Sequence, residues 1–375
     1  MQRYRSDYAV SPSSGARTWL VVDDEFQPHK ESLSYSLGLE AGKHSPNTTR
    51  SYMAKIATFL NWCQEAGVDW RTVDVPALSR FKRTLQARRT SKGDLVTGKT
   101  VNIYLVAVTE FLKYCALHGF IGEVMAARFH EQRFLRYLPH GMQESETGSN
   151  RLITARLVKV READIDPQVI SASNLEKVEA SCRDARELLL FYVLRDTAVR
   201  IGELLGLRRE DLHFLPLSTA VGCSIHGPHL HVVRRMNSNG ALAKSLPRAI
   251  PVTQDVVDAY IDFMQDREAF VPDSESPFVF INVHAQVDHR DSPMTYSNSK
   301  RIVNRWGREA EATIRPHMFR HTAATNWLRS GTPRDVVQEL LGHASAESTS
   351  VYLHSTNQDA RDAVDRLAAM RKERL

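Results

Sequence analysis

From Ser45 onward, apolar residues recur every three or four positions, in runs punctuated by a capping serine, prolines and glycines. That punctuation commits the stretch to a small bundle of helices. Ser45 is placed to cap, with Pro46 at the first helical position. Tyr52, Ile56, Phe59 and Leu60 then share a face, and Gly67 ends the run. Pro76 opens a second helix with Leu78, Phe81 and Leu85 on one side. A basic loop, RRTSKGDLVTG, leads to a third over 100–118, whose buried side is Val101, Tyr104, Leu105, Val108, Phe111, Leu112 and Cys115; Gly119 stops it. Residues 46–121 therefore read as a helical domain of three or four helices.

A chain of 375 residues is too long for one ordinary core, so a second domain is expected. Residues 1–45 form an N-terminal extension in which only TWLVVDDEF suggests a strand. Residues 122–170, with Pro139, Gly141 and the run QESETGSN, read as a linker region. The second domain spans 171–375. Ser173 is expected to cap a helix over 174–181, and an apolar helix follows over 185–195. TAVRIGELLGLRREDL reads as a turn into another helix. Residues 224–236 and 248–253 alternate as strands of a hairpin with a long tip, NSNGALAKSLP. A helix over 256–264 and a short strand over 277–282 come next, and the chain from Ser297 onward is helical. The fold class is α+β, mostly helical, with a small antiparallel sheet in the second domain.

No apolar run approaches the ~20 residues of a membrane span, and the N-terminus lacks an apolar signal core. Cys63, Cys115, Cys182 and Cys223 are far apart and form no CxxC, which fits free thiols in a reducing cytoplasm and argues against a zinc site. The net charge of +5 is uneven. Residues 46–121 hold 11 Lys and Arg against 5 Asp and Glu, whereas 171–375 hold 26 of each. A compact basic helical block suits a nucleic-acid backbone, although a solvated helix face explains charge alone equally well.

Four segments place basic or phenolic side chains where packing does not demand them. Arg200 opens RIGELLGL, a position where its charge opposes the helix dipole unless an anion sits there; a surface salt bridge to Glu203 or Asp196 is the plainer explanation. In RPHMFRHTAATNWLRSG, His317 and Arg320 are three residues apart and face one way near a helix start, while Phe319 and Ala323 serve the core. TPRDVVQELLG reads as a helix capped by Thr332 and closed by Gly342, so His343 leaves it in a fixed direction; Tyr352 follows nine residues later. Lys244 lies in the hairpin tip. Each alone is more simply a solvated or half-buried side chain. Together, two arginines, two histidines, a lysine and a tyrosine can neutralise and cleave a phosphodiester. There is neither a P-loop nor an acidic cluster for Mg²⁺.

The ordered motifs TAVRIGELLGL, KSLPRAIPV, PHMFRHTAAT and LLGHAS, with a tyrosine nine residues after His343, resemble the tyrosine recombinases, or phage integrase family. The resemblance covers about half the chain, and the 46–121 block looks like the family's core-binding domain. It implies a DNA breaking–rejoining fold in which Tyr352 attacks the scissile phosphate to leave a 3′-phosphotyrosyl link. Arg200, Arg320 and His343 would hold the phosphate, His317 would take the phenol proton, and Lys244 would protonate the departing 5′-oxygen. No metal and no cofactor would be required. The implied partners are double-stranded DNA recombination sites, a homotetramer on two duplexes with a dimer at each, and accessory recombination proteins, in the cytoplasm at a bacterial nucleoid and away from membranes. The hairpin departs from the short GKGxKxR turn of much of the family, and NSNGALAKS looks more like the integrases of transposons. An amphipathic C-terminal helix over 359–375 would dock on a neighbouring protomer or on its own domain. Rival readings are a non-catalytic DNA-binding protein on the same fold, a type IB topoisomerase-like enzyme that relaxes DNA, and a hydrolytic nuclease.

Overall fold

The structure is a computed structural model that describes residues 3–10, 15, 17–42, 44–91, 93–122, 129–135, 151–162, 168–215, 218–284, 286 and 289–342. The chain divides into two compact units that meet in sequence near Ile165.

The N-terminal unit contains the three expected helices, α2 (Pro46–Glu65), α3 (Val75–Ala87) and α4 (Gly98–Leu117), preceded by a helix the sequence did not signal, α1 (Lys30–Ala41). Their starts are set locally. Ser45 accepts a hydrogen bond from Thr48 N–H at 3.2 Å, and Asp74 accepts one from Ala77 N–H at 2.8 Å. Met53, Ile56, Phe59, Leu78, Leu105, Val108 and Phe111 are fully buried where the helices meet. α4 is the one helix among the described residues long and apolar enough to cross a membrane. Its buried residues are those of the bundle core, so its apolarity is spent on packing.

The extension over 1–45 is part of this unit. Strands β1 (Arg5–Val10) and β2 (Arg17–Val22) pair antiparallel, and β2 with α1 adds Val21, Tyr35 and Leu39 to the bundle core. The Asn61 side chain on α2 holds both the N–H (2.7 Å) and the carbonyl (2.8 Å) of Tyr4. The stretch 122–170 is also more than a spacer. It carries an antiparallel pair, β3 (His130–Leu135) with β4 (Arg151–Arg156), and sinks Phe129 and Val158 into the helical core. Asn102 on α4 brackets the backbone of Val160 with two bonds of 2.8 Å.

The C-terminal unit is built around α6 (Ala185–Thr197), whose Leu189, Leu190, Phe191, Val193 and Leu194 are all buried. A helix that is apolar nearly all round must be central. It is surrounded by α5 (Ala172–Ala180), the single turn α7 (Ile201–Leu204), α8 (Gln254–Phe270), α9 (Tyr296–Glu309), α10 (Pro316–Arg329) and α11 (Arg334–Leu341). Phe191, Trp306 and Phe319 meet edge-on at 6.1–6.2 Å in the core. One sheet, in the order β5–β6–β7, consists of Leu212–His213, His229–Val232 and Arg248–Pro251.

Several local expectations shift. The cap of α5 is Ser171, not Ser173. α11 has Pro333, not Thr332, at its N-cap, and proline offers no side-chain acceptor, so the helix begins without a side-chain cap. Residues 277–282 form isolated bridges, Arg208 with Phe278 and Ile281 with Pro293, and no continuous strand.

Candidate active site

α6 ends in a turn that sets up the site. Ala198 adopts a left-handed conformation (φ 51°), which costs a non-glycine residue about 1–2 kcal/mol. Its carbonyl accepts from Arg320 Nη1 at 2.8 Å, so the strained turn and the arginine hold each other. Two residues on, Arg200 leads α7. Its N–H donates to Glu203 Oε2 at 2.9 Å, and its Nη1 reaches Glu203 Oε1 at 3.1 Å. The salt bridge to Glu203 is therefore real, and it aims a guanidinium that remains 29% exposed.

Glu203 is the hub. Its buried carboxylate also takes Arg248 Nη2 at 2.9 Å and the hydroxyl of Ser245. Burial alone would raise its pKa, but the hydrogen bond and charge of Arg248, with Ser245 and the Arg200 backbone, hold it down to about 2. Arg248, on β7, donates through Nε to the Leu340 carbonyl at 2.6 Å. Arg320 Nη2 donates to the next carbonyl, Leu341, at 2.7 Å. Two guanidinium groups, on side chains 2% (Arg320) and 5% (Arg248) exposed, thus cap the C-terminal end of α11, where carbonyls lack helical partners and the dipole favours cations.

Immediately beyond, Gly342 turns left-handed at φ 63°. A Cβ there would lie 2.8 Å from Arg248 Nη1 and 3.0 Å from Ser245 Cβ. Gly342→Ala is therefore expected to lose about 1–2 kcal/mol from the backbone alone, and more from the clash. Thermal unfolding checks this: an unchanged Tm would mean that the turn is not held by the arginine.

The hairpin tip is folded down. Asn239 Nδ2 reaches the carbonyls of Leu205 and Met294, both at 2.9 Å. Arg234 binds the carbonyls of Lys244 (2.9 Å) and Ser245 (3.0 Å). Burial then alternates through Ala243, Lys244 and Ser245, so the ammonium side chain of Lys244 is exposed while its neighbours are anchored. His317 presents an edge to solvent. Partial desolvation, then the charges of Arg320 and Arg200, hold its pKa below the ordinary histidine value, so it is neutral at pH 7. His321 is lowered by burial, then by His317 and Arg320.

The structure thus brings Arg200, His317, Arg320 and the Lys244 hairpin around the chain that leads into His343. His343, Tyr352 and the amphipathic segment 359–375 lie outside the described residues. Glu203, Ser245 and Arg248 were not singled out from the sequence for a site role. The available signal for Glu203 was its capping spacing, three residues after Arg200. A cleft of about 910 Å³ lined by Arg183, Arg186, Arg301, Arg305 and Arg308 meets this site only at Asn239 and Met294, where the hairpin tip is folded down.

These shifts predict acid sensitivity. The folded pKa of Glu203 lies below its unfolded value of 4.5, so its contribution is complete above that pH and is lost as pH falls toward 2. His317 and His321 are lowered below 6.5, so the unfolded chain takes up protons first and stability declines as pH drops below that value. Urea midpoints measured from pH 7 to pH 4 should fall throughout; a rise in that window would contradict these assignments.

Two guanidinium groups, a neutral imidazole and an exposed lysine on a tethered hairpin are side chains suited to neutralising a phosphate, and they lie on a mostly helical unit with one small sheet. The pattern of the Phage integrase family matches residues 167–359, and that of the phage integrase N-terminal SAM-like domain matches residues 34–119. The chain belongs to the phage integrase family and is a tyrosine-type site-specific recombinase. A tyrosine recombinase of Thermosipho africanus (strain TCF52B) is 26% identical over 341 residues, covering 87% of this chain and 94% of the relative. Transposase A from transposon Tn554 of Staphylococcus aureus is 24% identical over 354 residues, covering 92% of each chain. The Tn1549 transposon integrase, solved with a circular intermediate DNA, shares the fold with a TM-score of 0.60 at 17% identity, covering 90% of this chain and 99% of that one. XerH recombinase, solved in a post-cleavage complex with a palindromic difH substrate, gives 0.59 at 17% identity, covering 89% and 84%.

Proposed function

We propose that this recombinase integrates or excises a mobile genetic element by cutting and rejoining double-stranded DNA at the element's ends. The observation that carries the reading is that Arg320 and Arg248 hold the last carbonyls of α11 just before Gly342, that Glu203 ties Arg200 and the Lys244 hairpin to Arg248, and that His317 feels the charges of both Arg320 and Arg200. The transposon relatives, transposase A of Tn554 and the Tn1549 integrase, support the mobile-element context.

In the proposed reaction the Tyr352 oxygen forms a bond to the scissile phosphorus, and the bond from phosphorus to the 5′-oxygen breaks. His317 takes the phenol proton, for which its neutral state at pH 7 suits it, since a phenol of pKa ~10 is a poor nucleophile when protonated. Arg200 and Arg320 neutralise the non-bridging oxygens, and His343 donates to one of them. Lys244 gives its proton to the leaving 5′-oxygen. The phosphotyrosyl link conserves the bond energy, so attack by a different 5′-hydroxyl completes strand exchange. We place the catalytic roles in the C-terminal unit and duplex binding in both units. Strand exchange is carried out by four protomers on two sites.

The test is covalent trapping. Full-length protein and its Tyr352→Phe variant are incubated with labelled DNA from the ends of the encoding element, in buffer without Mg²⁺, and quenched with SDS. The wild type should give a protein–DNA adduct with a free 5′-hydroxyl, and the variant none. Cleavage that survives Tyr352→Phe would sink the nucleophile assignment and favour hydrolysis by water. Specific binding without an adduct would favour a non-catalytic role.

A further inference from the structure

His213, Cys223, His229 and His231 place one donor atom each within 4.8 Å of one another, in the C-terminal unit, and share no residue with the Arg200–Arg320 network. The topology makes this cluster. His229 and His231 are two apart on β6 and so share a face of the sheet, and His213 on β5 is the direct cross-strand partner of His229. Cys223 arrives from the turn that follows residues 218–221, its N–H held by the Ser218 carbonyl at 3.1 Å.

We propose that these four side chains form a structural zinc site of the Cys–His₃ type. A tetrahedral zinc, with Zn–N of about 2.0–2.1 Å and Zn–S of about 2.3 Å, has N···N edges of about 3.3 Å and N···S edges of about 3.6 Å. The His229 and His231 Nε2 atoms are 3.1 Å apart, and Cys223 Sγ lies 3.4 Å from the first and 3.6 Å from the second. These edges already have nearly the dimensions of a zinc tetrahedron.

Two further observations point to a ligand. His229 Nδ1 lies 2.7 Å from the Gly227 carbonyl. A carbonyl can only accept, so the proton sits on Nδ1 and the Nε2 lone pair faces the cluster, the orientation by which second partners usually fix a metal-bound histidine. His213 Nδ1 is buried with no hydrogen-bond partner, a destabilising arrangement unless something fills the gap. Ordinary packing accounts for the edge-on rings, 4.6–5.0 Å apart, but not for that orphaned nitrogen.

Four protein donors leave no open position, so the ion would be structural, not catalytic. It would tie the loop bearing Cys223 to β5 and β6, the base of the hairpin whose tip carries Lys244. The other cysteines are poor thiolate donors, since burial pushes Cys63, Cys115 and Cys182 up to about 12.

Full-length protein purified without chelator should contain one zinc per chain by mass spectrometry of the metal. Stripped protein titrated with Co²⁺ should develop tetrahedral absorption bands and a thiolate-to-cobalt charge-transfer band. Adding zinc back to the stripped wild type should raise its Tm by several degrees, a readout that depends on no variant folding. Cys223→Ser should lose the charge-transfer band and weaken zinc binding at least about tenfold. Substoichiometric zinc with no cobalt spectrum and no Tm change would overturn the proposal. So would an undiminished charge-transfer band in Cys223→Ser, because the thiolate would then come from elsewhere.

Discussion

Glu203→Ala is expected to destabilise the C-terminal unit by about 3–5 kcal/mol, the usual consequence of removing one partner from a buried ion pair. The Glu203 side chain is 0% exposed and that of Arg248 is 5% exposed. Without the carboxylate, the Arg248 guanidinium stays buried with its charge unopposed, Ser245 loses its acceptor, and the Arg200 N–H loses its cap. Glu203→Gln keeps most of the volume and one acceptor oxygen, so it should fall between wild type and alanine. The readout is urea unfolding followed by far-UV circular dichroism. A loss below about 1 kcal/mol in the alanine variant, the value of an exposed pair, would show that solvent reaches the network. Adduct formation should fall further than stability in both variants, because Arg200 loses the contact that aims it and the Lys244 hairpin loses an anchor.

Arg320→Ala should be at least as damaging. Its guanidinium, 2% exposed, joins the left-handed turn at Ala198 to the last carbonyl of α11. Hydrogen bonds to charged groups contribute about 1.5–3 kcal/mol each, and both carbonyls would be left buried, so a loss of about 3–5 kcal/mol is expected. If Arg320 also holds the scissile phosphate, adduct formation should drop about 10²–10³-fold beyond the fraction unfolded, the scale for removing one donor to a transition-state oxyanion. Arg320→Lys separates the two roles. A lysine preserves charge but cannot span two carbonyls in fixed geometry, so it should recover binding to DNA more than cleavage. Equal cleavage by the lysine variant and wild type would show that only the charge matters.

Much of this was legible along the chain because the physics concerned is local. Ser45 with Pro46 opens a helix, and Gly67 and Gly342 close helices, because caps and positive φ values depend on a few neighbouring residues. The motifs around Arg200, Arg320 and His343 sufficed for the family and for the chemistry it performs. Where a competing local bond existed, the sequence misled: two serines could cap α5, and the one chosen was Ser171. The extension and the linker were underestimated because single apolar residues such as Val21, Phe129 and Val158 carry no periodic signal, yet each is buried in the helical core.

What only the tertiary structure decided are the links between distant residues. Arg248 reaches Leu340 across 92 positions, and Arg320 reaches Ala198 across 122. The His213–Cys223–His229–His231 cluster exists because strand pairing sets His213 beside His229 while the pleat turns His231 the same way. Linear cysteine spacing, which argued against a zinc site, has no means to register such a meeting. The sequence by itself determined most of the helices and the family the chain belongs to, since caps, periodicity and motifs are written in short-range geometry. The tertiary structure determined which charges are buried together, because burial and pairing depend on the whole packed chain.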